Sequence, residues 1–92
     1  MKKTFLIIFQ YSQAITPTLV EHIKEEDTWA KIADNIWCIK SFDVHPRDVR
    51  ERYLRLTNNE QGKLMVINIT TSSWASVGVS QQVADWLNNN NA

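Results

Sequence analysis

Runs of apolar residues separated by short polar segments predict four strands. The first run is apolar on both alternating faces, which is typical of a central strand that is covered on both sides. The second and third runs flank Asp34 and Asn35, and two turn-favouring residues in that place predict a hairpin. A fourth apolar run follows Gly62. The strands are predicted at residues 4–10, 29–33, 36–40 and 63–70.

Helical spacing of apolar residues predicts a helix after the first strand and another after the third. Thr16 is expected to cap the first helix with Pro17 at its first position, and Pro46 is expected to open the second. Ser80 is expected to cap a short last helix. The predicted inward stripes are Leu19, Val20 and Ile23 in the first helix, Val49, Tyr53 and Leu56 in the second, and Val83, Trp86 and Leu87 in the last.

The order strand, helix, strand, strand, helix, strand predicts an α+β fold, the ferredoxin-like βαββαβ sandwich. Right-handed crossovers then place both helices on one face of an antiparallel sheet. We expect one domain over residues 1–92, with the sandwich in 1–70 and a C-terminal extension with a short helix in 71–92. The other sheet face needs cover from the extension or from a second copy, so a homodimer is expected.

Composition and charge narrow the class of protein. A chain of 92 residues buries only about 60–65% of its unfolded surface, which gives a core of marginal size. Its zero net charge disfavours nucleic-acid binding by bulk charge, but leaves room for a local basic patch. The lone Cys38 makes a reducing cytoplasm the expected location. No segment approaches the roughly 20 apolar residues of a membrane span, so no membrane partner is expected.

Motifs for catalysis and cofactor binding are missing from the sequence. Two glycines in total make a phosphate-cradling loop improbable, and no Cys or His pair has metal-ligand spacing. His22 is expected to be a solvated helix residue, and His45 lies just before Pro46, where an extended conformation is favoured. Cys38, between two apolar residues of a predicted strand, is expected to be an inert buried thiol. We therefore expect no cofactor.

Four arginines crowd the second predicted helix. Asp48 is expected to pair with Arg52, and Glu51 with Arg55, at the i, i+4 spacing of helical ion pairs. Arg47 and Arg50 have no such partner in the helix, which makes them candidates for phosphate contact in a nucleic acid. The arginines stand at positions 47, 50, 52 and 55.

Tryptophans supply candidates for a partner interface. Trp29 and Trp37 fit sheet positions, and Trp86 fits the inward face of the last helix. Trp74 differs because it lies in a polar loop, where it either covers the open sheet face or anchors a partner. Trp74 and Trp86 are therefore the candidates for a partner or dimer interface.

Several short segments, taken in order, carry a resemblance to a known family. The chain resembles the SinR-like proteins, a branch around the small CRISPR-associated adaptation protein, and more distantly the VapD toxins. The resemblance implies a dimeric ferredoxin-like fold, which in the adaptation protein bridges two copies of the integrase. The segments that carry it are Phe5-Leu6-Ile7, Trp29, Ile36-Trp37-Cys38-Ile39-Lys40, Arg47-Asp48-Val49-Arg50, Leu64-Met65-Val66, Ile69-Thr70, Trp74 and Asp85-Trp86-Leu87.

Gln10 departs from the pattern of these families. In the adaptation proteins and the VapD toxins the first strand ends in an aspartate, proposed to hold a metal ion across the dimer for phosphodiester cleavage, and the matching position here is Gln10. An amide can ligate Mg²⁺ through its oxygen but supplies no charge and cannot act as a base. The departure favours a protein without catalytic activity.

Three functions remain open on the sequence alone. The first is a non-enzymatic dimeric binding module for nucleic acid or for another protein, with Arg47 and Arg50 as phosphate contacts. The second is a metal-dependent endonuclease, toxin-like, in which Gln10 and either Asp43 or Asp34 hold Mg²⁺. The third is an inhibitor or immunity-type protein that binds one enzyme and has no site of its own.

Overall fold

A computed structural model describes residues 2–71 and 77–90. Within these residues, four strands and three helices follow one another in the order β1, α1, β2, β3, α2, β4, α3, and a 3-10 turn, Arg55–Thr57, follows α2. The strands are β1 (Lys3–Gln10), β2 (Thr28–Ala33), β3 (Ile36–Ser41) and β4 (Lys63–Asn68), and the helices are α1 (Thr16–Lys24), α2 (Pro46–Leu54) and α3 (Gln81–Asn90).

The strands form one antiparallel sheet in the spatial order β2, β3, β1, β4. This is the order of a ferredoxin-like sandwich, so the predicted α+β class and βαββαβ arrangement are confirmed. β1 lies between β3 and β4, as its two apolar faces predict. In the hairpin turn Asn35 has a φ of 63°, a left-handed conformation that asparagine tolerates well. β4 ends at Asn68, two residues before the predicted end.

The main core lies between the sheet and the two helices α1 and α2. Because side chains alternate along a strand, one face of β1 and β3 points at the helices. In α2 the predicted residues Val49 and Tyr53 are fully buried, and Leu56 of the following turn packs against the same core in a partly buried position. The buried members of this core are Phe5, Ile7, Phe9, Ile15, Leu19, Ile23, Trp37, Ile39, Val49 and Tyr53.

The second face of the sheet is partly covered by α3, within the same chain. Val83 and Leu87 of α3 pack on Cys38, and Leu6 and Ile32 border this smaller core. Two hydrogen bonds fasten the helix: the Trp86 indole donates to the Thr28 hydroxyl at 2.7 Å, and the Thr4 hydroxyl donates to the Asn90 carbonyl at 2.8 Å. The Ser80 hydroxyl accepts from the Val83 amide at 3.2 Å, so the predicted cap of this helix is confirmed.

The predicted cap of α1 is wrong. Ile15 is the residue before the helix, and its φ and ψ of −94° and −36° are already helical. A preceding turn carries the chain into α1, because the Thr16 amide donates to the Ser12 carbonyl at 3.0 Å. The Thr16 hydroxyl therefore donates to carbonyl oxygens of that turn, at 3.3 Å to Tyr11 and at 2.9 Å to Ser12. Pro17 stands in the first turn, where its missing N–H costs no hydrogen bond.

Candidate functional site

Arg47 and Arg50 lie on the side of α2 that faces β4. The helix begins at Pro46 after an extended His45, whose φ and ψ are −119° and 146°, as a residue before proline favours. Both arginines border one open cleft of about 250 Å³ against the strand. We call it the arginine cleft, and its lining residues are Pro46, Arg47, Arg50, Leu64, Met65 and Val66.

Positive charge in the arginine cleft is only partly compensated. Arg50 Nη2 lies 2.8 Å from Glu51 Oε1, and both side chains are about half exposed. An exposed pair of this kind contributes little to stability and exchanges readily with solvent or with another carboxylate. Arg47 forms no ion pair with any residue in 2–71 or 77–90. The predicted pair of Glu51 with Arg55 is wrong, because the Glu51 carboxylate bonds to the neighbouring Arg50 instead.

Arg52 points to the other side of α2 and joins three elements. Its guanidinium Nη1 lies 2.9 Å from Glu26 Oε1, and its Nη2 lies 2.7 Å from Asp43 Oδ2. The predicted pair with Asp48 is therefore wrong. The physical reason is position: Arg52 stands three residues after the buried Val49, so it shares the inward side of the helix. That spacing is the signal by which the sequence could have revealed the contact.

His22 and Tyr53 complete the cluster around Arg52. Nη1 of Arg52 lies 3.1 Å from His22 Nε2, and a guanidinium can only donate, so this nitrogen of His22 accepts. The His22 and Tyr53 rings meet edge to face with centroids 4.8 Å apart. The Tyr53 hydroxyl donates to Glu26 at 3.1 Å. Burial and the neighbouring Glu26 carboxylate raise the pKa of Tyr53.

Asp43 belongs to the cluster around Arg52, where its carboxylate is held by hydrogen bonds. The Ser41 hydroxyl donates to its carboxylate, and the Asp43 amide donates back to the Ser41 oxygen at 3.1 Å. Burial alone would raise the pKa of Asp43, but the hydrogen bonds from Arg52 and Ser41 and the charge of Arg52 lower it overall. A carboxylate held ionised in this way is a poor general base.

Gln10 and Asp43 lie at opposite ends of β1. Gln10 is the last residue of β1 and is exposed, whereas Asp43 follows Ser41, whose partner in the sheet is Lys3 at the first residue of β1. Seven residue steps along a strand span roughly 23 Å, so the structure does not bring these two side chains together within one chain. Asp34 is near the Gln10 end, but its exposed carboxylate lies 3.3 Å from the Lys31 ammonium.

The described residues contain no group of three or more His, Cys, Asp or Glu side chains placed to hold a metal ion. Cys38 is fully buried under α3, and its burial raises the pKa of the thiol to about 12. A thiol in that state is a weak nucleophile at neutral pH.

The two tryptophans predicted at an interface have different outcomes. Trp86 is half-buried against the second sheet face, and its only indole donor is used inside the chain by Thr28. Trp74 lies outside the described residues. No helix within the described residues has the length and apolar character to cross a membrane.

Comparison of the chain with protein-family models, with curated proteins and with solved structures gives no match. The resemblance to the SinR-like proteins therefore stays a prediction.

Proposed function

We propose that the protein is a catalytically silent binding module that recognises a protein partner through the arginine cleft. The observation that carries this proposal is the position of Arg47 and Arg50 together beside the edge strand β4, with Arg47 unpaired among the described residues. One guanidinium without an ion pair, beside a second in an exposed pair, fits an acidic protein segment in a cleft with apolar walls.

A protein partner fits this cleft better than a nucleic acid does. Part of its lining is apolar, from Pro46, Leu64 and Val66, whereas surfaces that bind phosphates are polar and strongly basic. Two arginines could neutralise about two phosphates, which supports only weak binding at physiological salt. Binding assays with RNA and DNA distinguish a nucleic acid in the cleft from a protein.

The absence of catalysis is part of the proposal. It is supported by the neutral Gln10, by its separation from Asp43 and by the ion pair that occupies Asp43. We expect no cleavage of single- or double-stranded RNA or DNA with Mg²⁺ or Mn²⁺ present. Cleavage that stops with a chelator and is lost in Asp43→Asn or Asp34→Asn would establish the endonuclease instead.

The dimer predicted from the sequence also belongs to the proposal. α3 covers much of the second sheet face, for which a second copy of the chain was expected. The support for a dimer therefore comes from two exposed apolar side chains, Phe42 and Val44, which are 70% and 64% exposed. A chain with a marginal core gains stability by burying such side chains between two copies. Light scattering is expected to give the mass of two chains, and a single-chain mass at every concentration would contradict the dimer.

Capture from a nuclease-treated native lysate tests the binding module. The immobilised wild-type chain is compared with the double variant Arg47→Glu/Arg50→Glu and with Arg55→Glu, a single charge reversal outside the cleft. We expect one protein that the wild type and Arg55→Glu retain and that the double variant loses. If that protein is an enzyme whose activity falls on binding, the inhibitor version is established.

A parallel assay measures the binding of labelled RNA and DNA to the same three chains at low salt, and tests whether the arginine cleft binds a nucleic acid. Binding that only the double variant loses would place a nucleic acid, not a protein, in the cleft. Equal behaviour of the three chains in both assays would contradict any function of the arginine cleft.

A further inference from the structure

The outer edge of β4 carries a row of backbone groups directed away from the sheet. The Ile69 amide donates to the Thr4 carbonyl at 2.9 Å, and hydrogen-bonded pairs alternate along an antiparallel ladder. Ile67 and Met65 therefore bond to β1, and the N–H and C=O groups of the residues between them face outward. No strand in residues 2–71 or 77–90 pairs with that outer side. The residues with outward backbone groups are Leu64, Val66 and Asn68.

The two edges of the sheet differ in regularity. β2, at the opposite edge, has an irregular register between Lys31 and Ala33, and such a bulge blunts an edge against further pairing. β4 pairs with β1 over six consecutive residues without a shift and contains no proline. Among the strands of the described residues, β4 alone therefore presents a straight edge for an added strand.

The two faces beside this edge have different chemistry. On the helix face, the side chains of Leu64 and Val66 point toward α2, where Arg47 and Arg50 border the cleft. On the other face, Met65 and Ile67 are 57% and 40% exposed. Because side chains alternate across a strand, an added strand would place every second side chain beside the arginines and the others beside these two apolar residues.

We infer that β4 binds an extended segment of another protein as a fifth strand, in which acidic side chains face Arg47 and Arg50 and alternate with apolar side chains that pack on Met65 and Ile67. Main-chain hydrogen bonds to the outward groups of β4 supply affinity, and the alternation supplies specificity. The inference rests on the proposed function and names the chemical class of its partner.

A second copy of this chain does not fit the same edge. Pairing β4 with β4 of another copy would bring the arginines of both copies to one junction, and like charges facing across strands are destabilising. The sequence of β4 itself contains one lysine and no acidic residue. Charge complementarity therefore selects an acidic segment from another protein.

The probe is a labelled synthetic peptide of about ten residues in which glutamate and valine alternate, long enough to span β4. Fluorescence anisotropy measures its binding to the full chain. Two versions carry N-methyl groups on alternate backbone nitrogens, one on the glutamates and the other on the valines. A further peptide of the same composition has its glutamates grouped at one end.

In an added strand, only every second N–H group of the peptide faces β4. Methylation of the backbone nitrogens that face β4 is therefore expected to weaken binding at least tenfold, and methylation of the other nitrogens is expected to change binding less than about twofold. In an antiparallel added strand the sensitive set is on the glutamates. The grouped peptide is expected to bind at least tenfold more weakly. Equal binding of the two methylated peptides, or no binding of the alternating peptide, overturns the inference.

Charge reversal separates failure of this inference from failure of the proposed function. Arg47→Glu/Arg50→Glu is expected to weaken the alternating peptide at least tenfold, and Arg55→Glu less than about twofold. If the double variant binds more weakly but the two methylated peptides are equivalent, the cleft binds acidic segments without strand addition, so the proposed function stands and the inference fails. If the double variant binds the peptide as well as the wild type does, the inference is overturned, and the lysate and nucleic-acid assays decide the proposed function.

Discussion

The Arg52 guanidinium donates to Asp43 Oδ2 over 2.7 Å, and this bond ties α2 to the loop that follows β3. The same guanidinium bonds to Glu26 just after α1 at 2.9 Å. Both carboxylates are largely buried, with 18% and 12% of their side chains exposed, so screening by solvent is limited. The two ion pairs of Arg52 therefore contribute to the stability of the fold, whereas exposed ion pairs contribute little.

Replacing Arg52 with methionine is expected to destabilise the fold by about 2 kcal/mol, because two carboxylates lose a charged donor in a half-buried setting. Urea unfolding at neutral pH measures the loss. The matched control is Arg55→Met, a substitution of an exposed arginine that should change stability by less than about 0.5 kcal/mol. Equal effects of the two substitutions would contradict the structural role of Arg52.

Acidification is expected to remove the contribution of Asp43. Its pKa in the folded chain is lowered below the ordinary aspartate value, because hydrogen bonds and charge from Arg52 outweigh burial. A lowered folded pKa means that the contribution is fully present above the unfolded pKa and is lost as pH falls through the folded pKa. Urea unfolding between pH 6 and pH 2 should therefore show a steeper loss for the wild type than for Asp43→Asn. Parallel curves would exclude this role of Asp43.

Gly62 is expected to be intolerant of any side chain. A Cβ there would lie 2.7 Å from the Gln10 backbone oxygen and against the Tyr11 ring, so the strand end would have to move. We expect Gly62→Ala to cost about 1 to 3 kcal/mol, as overpacking does. Gly78→Ala is the comparison, since a Cβ there would meet no atom within 4 Å in the described part of the chain beyond its two neighbours in sequence, and its φ of 83° is the only strain. A Gly62→Ala chain as stable as the wild type would show that Gln10 and Tyr11 move away from the added Cβ at no cost in stability.

Labelling of Cys38 tests whether α3 covers the second sheet face in solution. The buried thiol, with its pKa raised to about 12, should react with a thiol reagent about a hundredfold more slowly in the native chain than in urea. Leu87→Ala should accelerate native labelling more than Leu19→Ala, which truncates the main core instead. If the two variants label at the same rate, labelling follows global unfolding and α3 does not act as a separate cover.

The sequence was a good guide to the sheet because its signals are local. Apolar residues on both faces of β1 correctly predict its central place, since Ile7 packs on the helices while Leu6 packs under α3. The spacing of Val49 and Tyr53 correctly predicts the buried side of α2. Right-handed crossovers correctly predict that both helices lie on one face of the sheet, since Leu19 of α1 and Val49 of α2 belong to the same core.

Contacts between distant segments escaped the sequence reasoning. Arg52 has a carboxylate at helical spacing in Asp48, yet its partners Glu26 and Asp43 lie in the segments that follow α1 and β3. No local pattern indicates which of these carboxylates Arg52 binds. For α1, the helical turn before Thr16 was not visible in the pattern of apolar residues. The two arginines of the candidate site were found as an excess of local charge, but their position beside an edge strand required the sheet.

The most direct test of the partner-binding edge is amide hydrogen exchange, measured by nuclear magnetic resonance on the full chain with and without the alternating glutamate and valine peptide. We expect the outward amides of Leu64, Val66 and Asn68 to exchange rapidly in the free chain and to become protected when the peptide is bound. Unchanged exchange at these three amides under saturating peptide, or new protection confined to β2, would contradict it.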